Sequence, residues 1–114
     1  MRQTPAVASL SLRARAAHLR GRAGERDGDD AASLAGYGAL LDMALECSRS
    51  DIPLVLTCAP YVADGLARLA RLHLARGRRA DAAAVVKVFD AIWRTPDADL
   101  APVVMVQAVR GALR

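Results

Sequence analysis

The stretch RLARLHLARGRRADAAAVVKVFDAI, Arg68 to Ile92, sets Gly77 between two apolar runs and crowds Arg76, Arg78 and Arg79 around it. Upstream of the glycine, Val62, Leu66, Leu69, Leu72 and His73 recur at the three- and four-residue spacing of one helical face. Asp64, Arg68 and Arg71 fall on the opposite side, where Asp64 and Arg68 are one turn apart and can pair. Downstream, Ala82, Val85, Val88, Phe89 and Ile92 make a second apolar face, with Lys87, Asp90 and Arg94 outward. Gly77 is the residue that can adopt the left-handed conformation ending a helix, and Asp81 suits the positive pole of the next. The pattern predicts helices over Pro60–Arg76 and Asp81–Trp93, folded back on each other as an antiparallel hairpin. Arginines just past a helix end are read as solvated, each offsetting the negative pole by about 0.3–1 kcal/mol.

Outward from the hairpin, two segments resist periodicity. Ile52 to Cys58, in SDIPLVLTCAP, reads either as a buried strand or as a short helix capped by Asp51 with Pro53 in its first turn. Val103 to Val109 is β-branched enough for a strand, which would make the fold α/β. Helix is favoured there, because Thr95 and Pro96 followed by Asp97 and Asp99 suit a helix start, and a helix can also begin at Pro60 or Pro102. The expected class is all-α: antiparallel helical hairpins or a small bundle.

Toward the N-terminus, Asp29 or Asp30 can cap a helix running to about Ser48. Leu34, Tyr37, Leu41, Ala44, Leu45 and Ser48 lie along one side of it, with Asp42, Glu46 and Arg49 along the other. Gly36 and Gly38 each cost roughly 1 kcal/mol in a helix interior, which predicts another helix passing close to them. Residues 1–24 hold five arginines and no acid, and form a basic N-terminal helix or arm, while Gly21, Gly24 and Gly28 punctuate a polar loop to Asp30. Residues 1–29 are therefore separated from a helical domain at 30–114.

The hairpin resembles one tetratricopeptide repeat. Leu66, Leu69 and the small Ala70 stand at its first-helix positions, His73 at the bulky ring position, Gly77 at the turn, and Asp81–Ala82 at the acidic-then-alanine pair. Phe89 replaces a small alanine, Val86 an aromatic, and the proline comes late, at Pro96. Ala59–Pro60 with Val62 and Arg68 is echoed by Ala101–Pro102 with Val104 and Arg110, at a spacing longer than the roughly 34 residues of that repeat. The resemblance implies a helical scaffold that docks a helix or extended peptide of another protein. In length and class the chain is similar to small tetratricopeptide-like chaperones of bacterial secretion systems, which mask an aggregation-prone helical subunit.

The chain of 114 residues carries a net charge of +4, with hydrophobic residues at 54% and aromatics at 4%. A domain of this size buries about two-thirds of its unfolded surface, so further packing is expected from a partner protein or in a homodimer. Tyr37, Leu40, Val86 and Trp93, on the margins of wide apolar stripes, are the candidate partner-binding residues. The alternative is nucleic acid gripped by Arg68, Arg71, Arg78 and Arg79, although few rings are left for base stacking. Catalysis is not expected. His73 reads as a core histidine, His18 has no evident partner in the sequence, and Cys47 and Cys58 read as buried thiols. No CxxC or histidine–cysteine spacing suits a metal, and no dinucleotide fingerprint is present, so no cofactor is expected. The two cysteines and the lack of a membrane-spanning run point to a cytoplasmic protein, with a mitochondrial presequence at residues 1–24 as the alternative.

Overall fold

The computed structural model describes residues 5–49, 59–93 and 100–114, with side chains for 10–47, 59–93 and 100–114. Five helices follow in order: α1 Pro5–Asp27, α2 Asp30–Arg49, α3 Ala59–Ala75, α4 Arg79–Ile92 and α5 Ala101–Leu113. The fold is all-α, and no strand occurs among the described residues. Val103–Val109 lies inside α5, which removes the strand reading there; Ile52–Cys58 and Thr95–Asp99 lie outside the described residues. The helix starts at Ala101 behind Leu100, with Pro102 in its first turn, where a missing N–H costs nothing.

Hairpin α3–α4 forms as its sequence predicts. Gly77 has φ +76°, the Gly77 N–H donates to the Leu74 carbonyl and the Arg78 N–H to that of His73, the two bonds of a Schellman stop. Ala70 and Ala82 are fully buried, as close helix approach requires.

The polar loop expected at Gly21–Asp30 is instead the last two turns of α1. Only Gly28 and Asp29 connect α1 to α2, and they repeat the second turn residue for residue: Gly28 has φ +70°, its N–H donates to the Glu25 carbonyl, and the Asp29 N–H to that of Gly24. The Asp29 carboxylate then accepts the Ala32 N–H at 3.1 Å, capping α2. Gly21 and Gly24 are not breakers but contact points. A Cβ on Gly36 would lie 2.8 Å from the Gly21 Cα and 2.7 Å from the Ala17 carbonyl oxygen, so α1 and α2 touch backbone to backbone. Gly38, by contrast, faces open space, and the expectation of a close neighbour there fails.

The helices stack by nearest neighbours. Each meets the next in the chain, and α1 meets α3, α3 meets α5 and α2 meets α4, while α1 touches neither α4 nor α5 among the described residues. Central α3 therefore packs on all four others, which is why Val62, Gly65, Leu66, Ala67, Leu69 and Ala70 are all buried. The core face of α2 is also rotated from the expected one. Ser33, Tyr37, Leu40, Met43, Ala44 and Cys47 are buried, whereas Leu45 is exposed, because α2 is held between α1 and α3.

These contacts separate two glycines of similar propensity. Gly38→Ala should stabilise the protein by about 0.5–1 kcal/mol, since it adds helix preference in free space. Gly36→Ala should destabilise it, because the added carbon meets α1 backbone that has nowhere to go. Urea denaturation of both variants checks this; equal shifts of one sign would refute the close α1–α2 crossing.

Candidate functional site

Two of the arginines weighed for nucleic acid, Arg68 and Arg71, face an acid of the first hairpin. Glu25, in the last turn of α1, accepts hydrogen bonds from the Tyr37 hydroxyl on α2, from Arg68 Nη1 at 3.3 Å and from Arg71 Nη2 at 3.2 Å on α3. Asp30, at the start of α2, accepts Arg76 Nε at 3.0 Å, and the same arginine adds a second bond through Nη2. Two turns back along α1, His18 Nε2 lies 2.6 Å from Asp64 Oδ2, which also accepts Arg68 Nε at 2.7 Å. The acidic end of the first hairpin is thus clasped by the arginines of the second.

The seam is half-buried, which sets its electrostatics. Burial alone would raise the Asp64 carboxyl, but bonds from His18 and Arg68 outweigh it and hold Asp64 below the ordinary carboxylate value. Burial likewise works against the Arg68 charge, and the paired Asp64 and Glu25 overcome it. Tyr37 is pushed up from its ordinary value, first by burial and then by the Glu25 carboxylate that accepts the hydrogen bond of its hydroxyl. Its ring is seated over Gly21, where any side chain would collide with it. His18 sits between two rings, 5.4 Å from Tyr61 and 6.4 Å from Tyr37. At the other end, Asp90 and Arg110 form a two-pronged pair at 2.7 and 2.8 Å that joins α4 to α5.

The residues singled out from sequence are redistributed. Tyr37 and Leu40 have no exposed surface and Val86 has 6%, so these three are interior packing rather than a partner surface: adjacent hairpins cover the margins that a single hairpin would leave open. Trp93 is half-buried, stacked on Phe89 at 5.1 Å. Of the four arginines considered for nucleic acid, Arg68 and Arg71 are tied to acids and Arg79 donates to the Ala112 carbonyl at 3.1 Å. Arg78 remains exposed. Arg76 is no solvated bystander either, and His18 does have a partner, because both meet acids on a neighbouring hairpin, at separations that no local spacing reveals. Asp64 and Arg68 pair as expected but face α1, not water.

His73 is half-buried, with Nδ1 enclosed and without a hydrogen-bond partner. Burial holds its imidazole below the usual histidine value, against the pull of Asp81. Cys47 is buried and Cys58 lies outside the described residues. Among the described residues, no three His, Cys, Asp or Glu side chains are placed to hold a metal ion. No described helix is long and apolar enough to cross a membrane.

The open surface is elsewhere. Between α3 and α5 runs a groove of about 510 Å³, lined by Leu74, Ala101, Val104, Met105 and Ala108 with Arg71 at its lip. Val104 is 55% exposed there. Sequence reasoning missed it because Val104 reads like its repeat counterpart Val62, which is buried; only the arrangement of α3 and α5 distinguishes the two. No protein-family model matches the chain, and neither a curated protein nor a solved structure matches it significantly.

The sign of the Asp64 shift gives a pH prediction. A carboxyl lowered in the folded state contributes stability above its unfolded value of about 4 and loses it as pH falls further. Asp64→Asn should therefore cost on the order of 1 kcal/mol at pH 7, with the deficit shrinking toward pH 3. Urea titrations at both pH values measure it; a deficit that is the same at pH 3 would contradict the seam's ionic character.

Proposed function

We propose that this protein is a non-catalytic helical scaffold that docks a helix or extended segment of another protein in the groove between α3 and α5. The observation that carries this reading is the groove itself: concave, almost wholly apolar, with Val104 in solvent and Arg71 as its polar marker. The stacking of hairpins by nearest neighbours supports a tetratricopeptide-like architecture, as do the matching glycine stops and the small residues Gly21, Ser33, Ala70 and Ala82 at buried positions. Adaptor or chaperone work is the role this reading assigns, and a second copy of the chain is the other occupant this groove admits.

The alternative of nucleic acid on Arg68, Arg71, Arg78 and Arg79 draws less support, since three of the four already donate to acceptors of this chain, Arg68 and Arg71 to Glu25 and Arg79 to the Ala112 carbonyl.

The test is native co-purification compared across variants. Val104→Glu replaces an exposed side chain, leaves the helical circular dichroism unchanged, and should reduce retained partner by roughly tenfold or more. Sedimentation equilibrium of the isolated protein separates a heterologous partner from self-association. A monomer that retains no protein sensitive to Val104→Glu would overturn the scaffold reading.

A further inference from the structure

The outer face of α1 has a second, regular pattern. Leu12, Ala16, Leu19 and Ala23 succeed one another at spacings of four, three and four residues, the seam of a coiled coil. Leu12 and Leu19 are 68% and 56% exposed, the highest values among the large hydrophobic side chains described as exposed. The positions beside this seam are Arg13 and Arg20 on one flank and Arg15 and Arg22 on the other, all exposed. None of the four makes an ion pair among the described residues. Helix α1 is thus packed on its small-residue face, through Ala14, Gly21 and Gly24, and open on a leucine seam railed by arginine. On the Arg13 and Arg20 side the seam falls into a hollow of about 290 Å³ floored by Ala16, Ala17, Ala35, Gly36 and Ala39.

We propose that this face is a docking surface for an acidic amphipathic helix of a partner protein, laid along Leu12–Ala23 with carboxylates against the arginine rails. Charge decides among occupants. A second copy of α1 would bring arginine against arginine in either orientation, which flanking positions of coiled coils use to reject a pairing. An acidic helix instead pairs each rail while large seam residues fill the space over Ala16 and Ala23. The seam is about 17 Å long, so it specifies a partner's chemistry more than it supplies great affinity. This surface lies on the opposite hairpin from the α3–α5 groove and extends the scaffold reading with a second, independent contact.

Two synthetic three-heptad helices with leucine at the seam positions, one flanked by glutamate and one by lysine, are titrated calorimetrically against the intact chain. The glutamate helix should bind at least roughly tenfold more tightly than the lysine helix. The variant Arg13→Glu, Arg15→Glu, Arg20→Glu should reverse that order; Arg22 is left in place because it lies beside Glu25 and Arg68. Leu12→Ser with Leu19→Ser should lose roughly tenfold in binding, and Val104→Glu should lose none, which separates this surface from the groove. Circular dichroism confirms that each variant is folded. Equal or absent binding of the two helices would overturn the proposal. Tighter binding of phosphatidylserine vesicles or of duplex DNA than of the glutamate helix would overturn it in favour of a lipid or nucleic-acid surface.

Discussion

One carboxylate, Glu25, holds three helices at a single point. It takes the hydroxyl of Tyr37 from α2 and the guanidiniums of Arg68 and Arg71 from α3, while being part of α1 itself. A buried phenol without an acceptor costs on the order of 1–3 kcal/mol, so Tyr37 can be the centre of the first hairpin only because Glu25 is there. The ring in turn needs Gly21 to be a glycine. That knot joins the glycine-lined α1–α2 contact to the seam with α3, where Asp30–Arg76 and His18–Asp64 add to it.

The knot also decides which charges are left over for partners. Glu25 and Asp30 pair with Arg68, Arg71 and Arg76 between hairpins, so these three arginines are engaged by the chain's own acids even where, as for Arg71 and Arg76, their side chains stay exposed. Besides exposed Arg78, the surfaces left open are the arginine-railed outer face of α1 and the apolar groove of α3 and α5. Chemistry of binding therefore moves away from the turn around Gly77, toward the two ends of the stack.

The second hairpin was legible in sequence because its signals are local: a 3.6-residue apolar period, Gly77 at a left-handed stop and alanines at the crossing. The helical state of Val103–Val109 was also within reach, since a proline in the first turn favours it. The first hairpin was legible only in part: the α2 helix, its Asp29 cap and the close approach at Gly36 were readable, but the last turns of α1 were not. Gly21 and Gly24 look like breakers, and only the presence of α2 turns their missing side chains into contact surface. The parallel between Gly28 and Gly77 was a usable signal, hidden by opposite charges around the same turn. His18 with Asp64 and Asp30 with Arg76 were invisible for a different reason: ion pairs between hairpins depend on stacking register, which no single-helix pattern contains. Tyr37, Leu40 and Val86 were misplaced by the same gap, because a stripe too wide for two helices is the right width for three.

The most direct test of the Glu25 knot is a double-mutant cycle on stability, with Glu25→Gln, Arg68→Met and the pair, measured by urea unfolding at pH 7. If Glu25 binds α1 to α3 through Arg68, the two changes should be non-additive by about 0.5–3 kcal/mol, the range for residues in direct contact. Additivity to within about 0.3 kcal/mol would mean that the carboxylate and the guanidinium act independently, and the hairpins would have to be held by apolar packing alone.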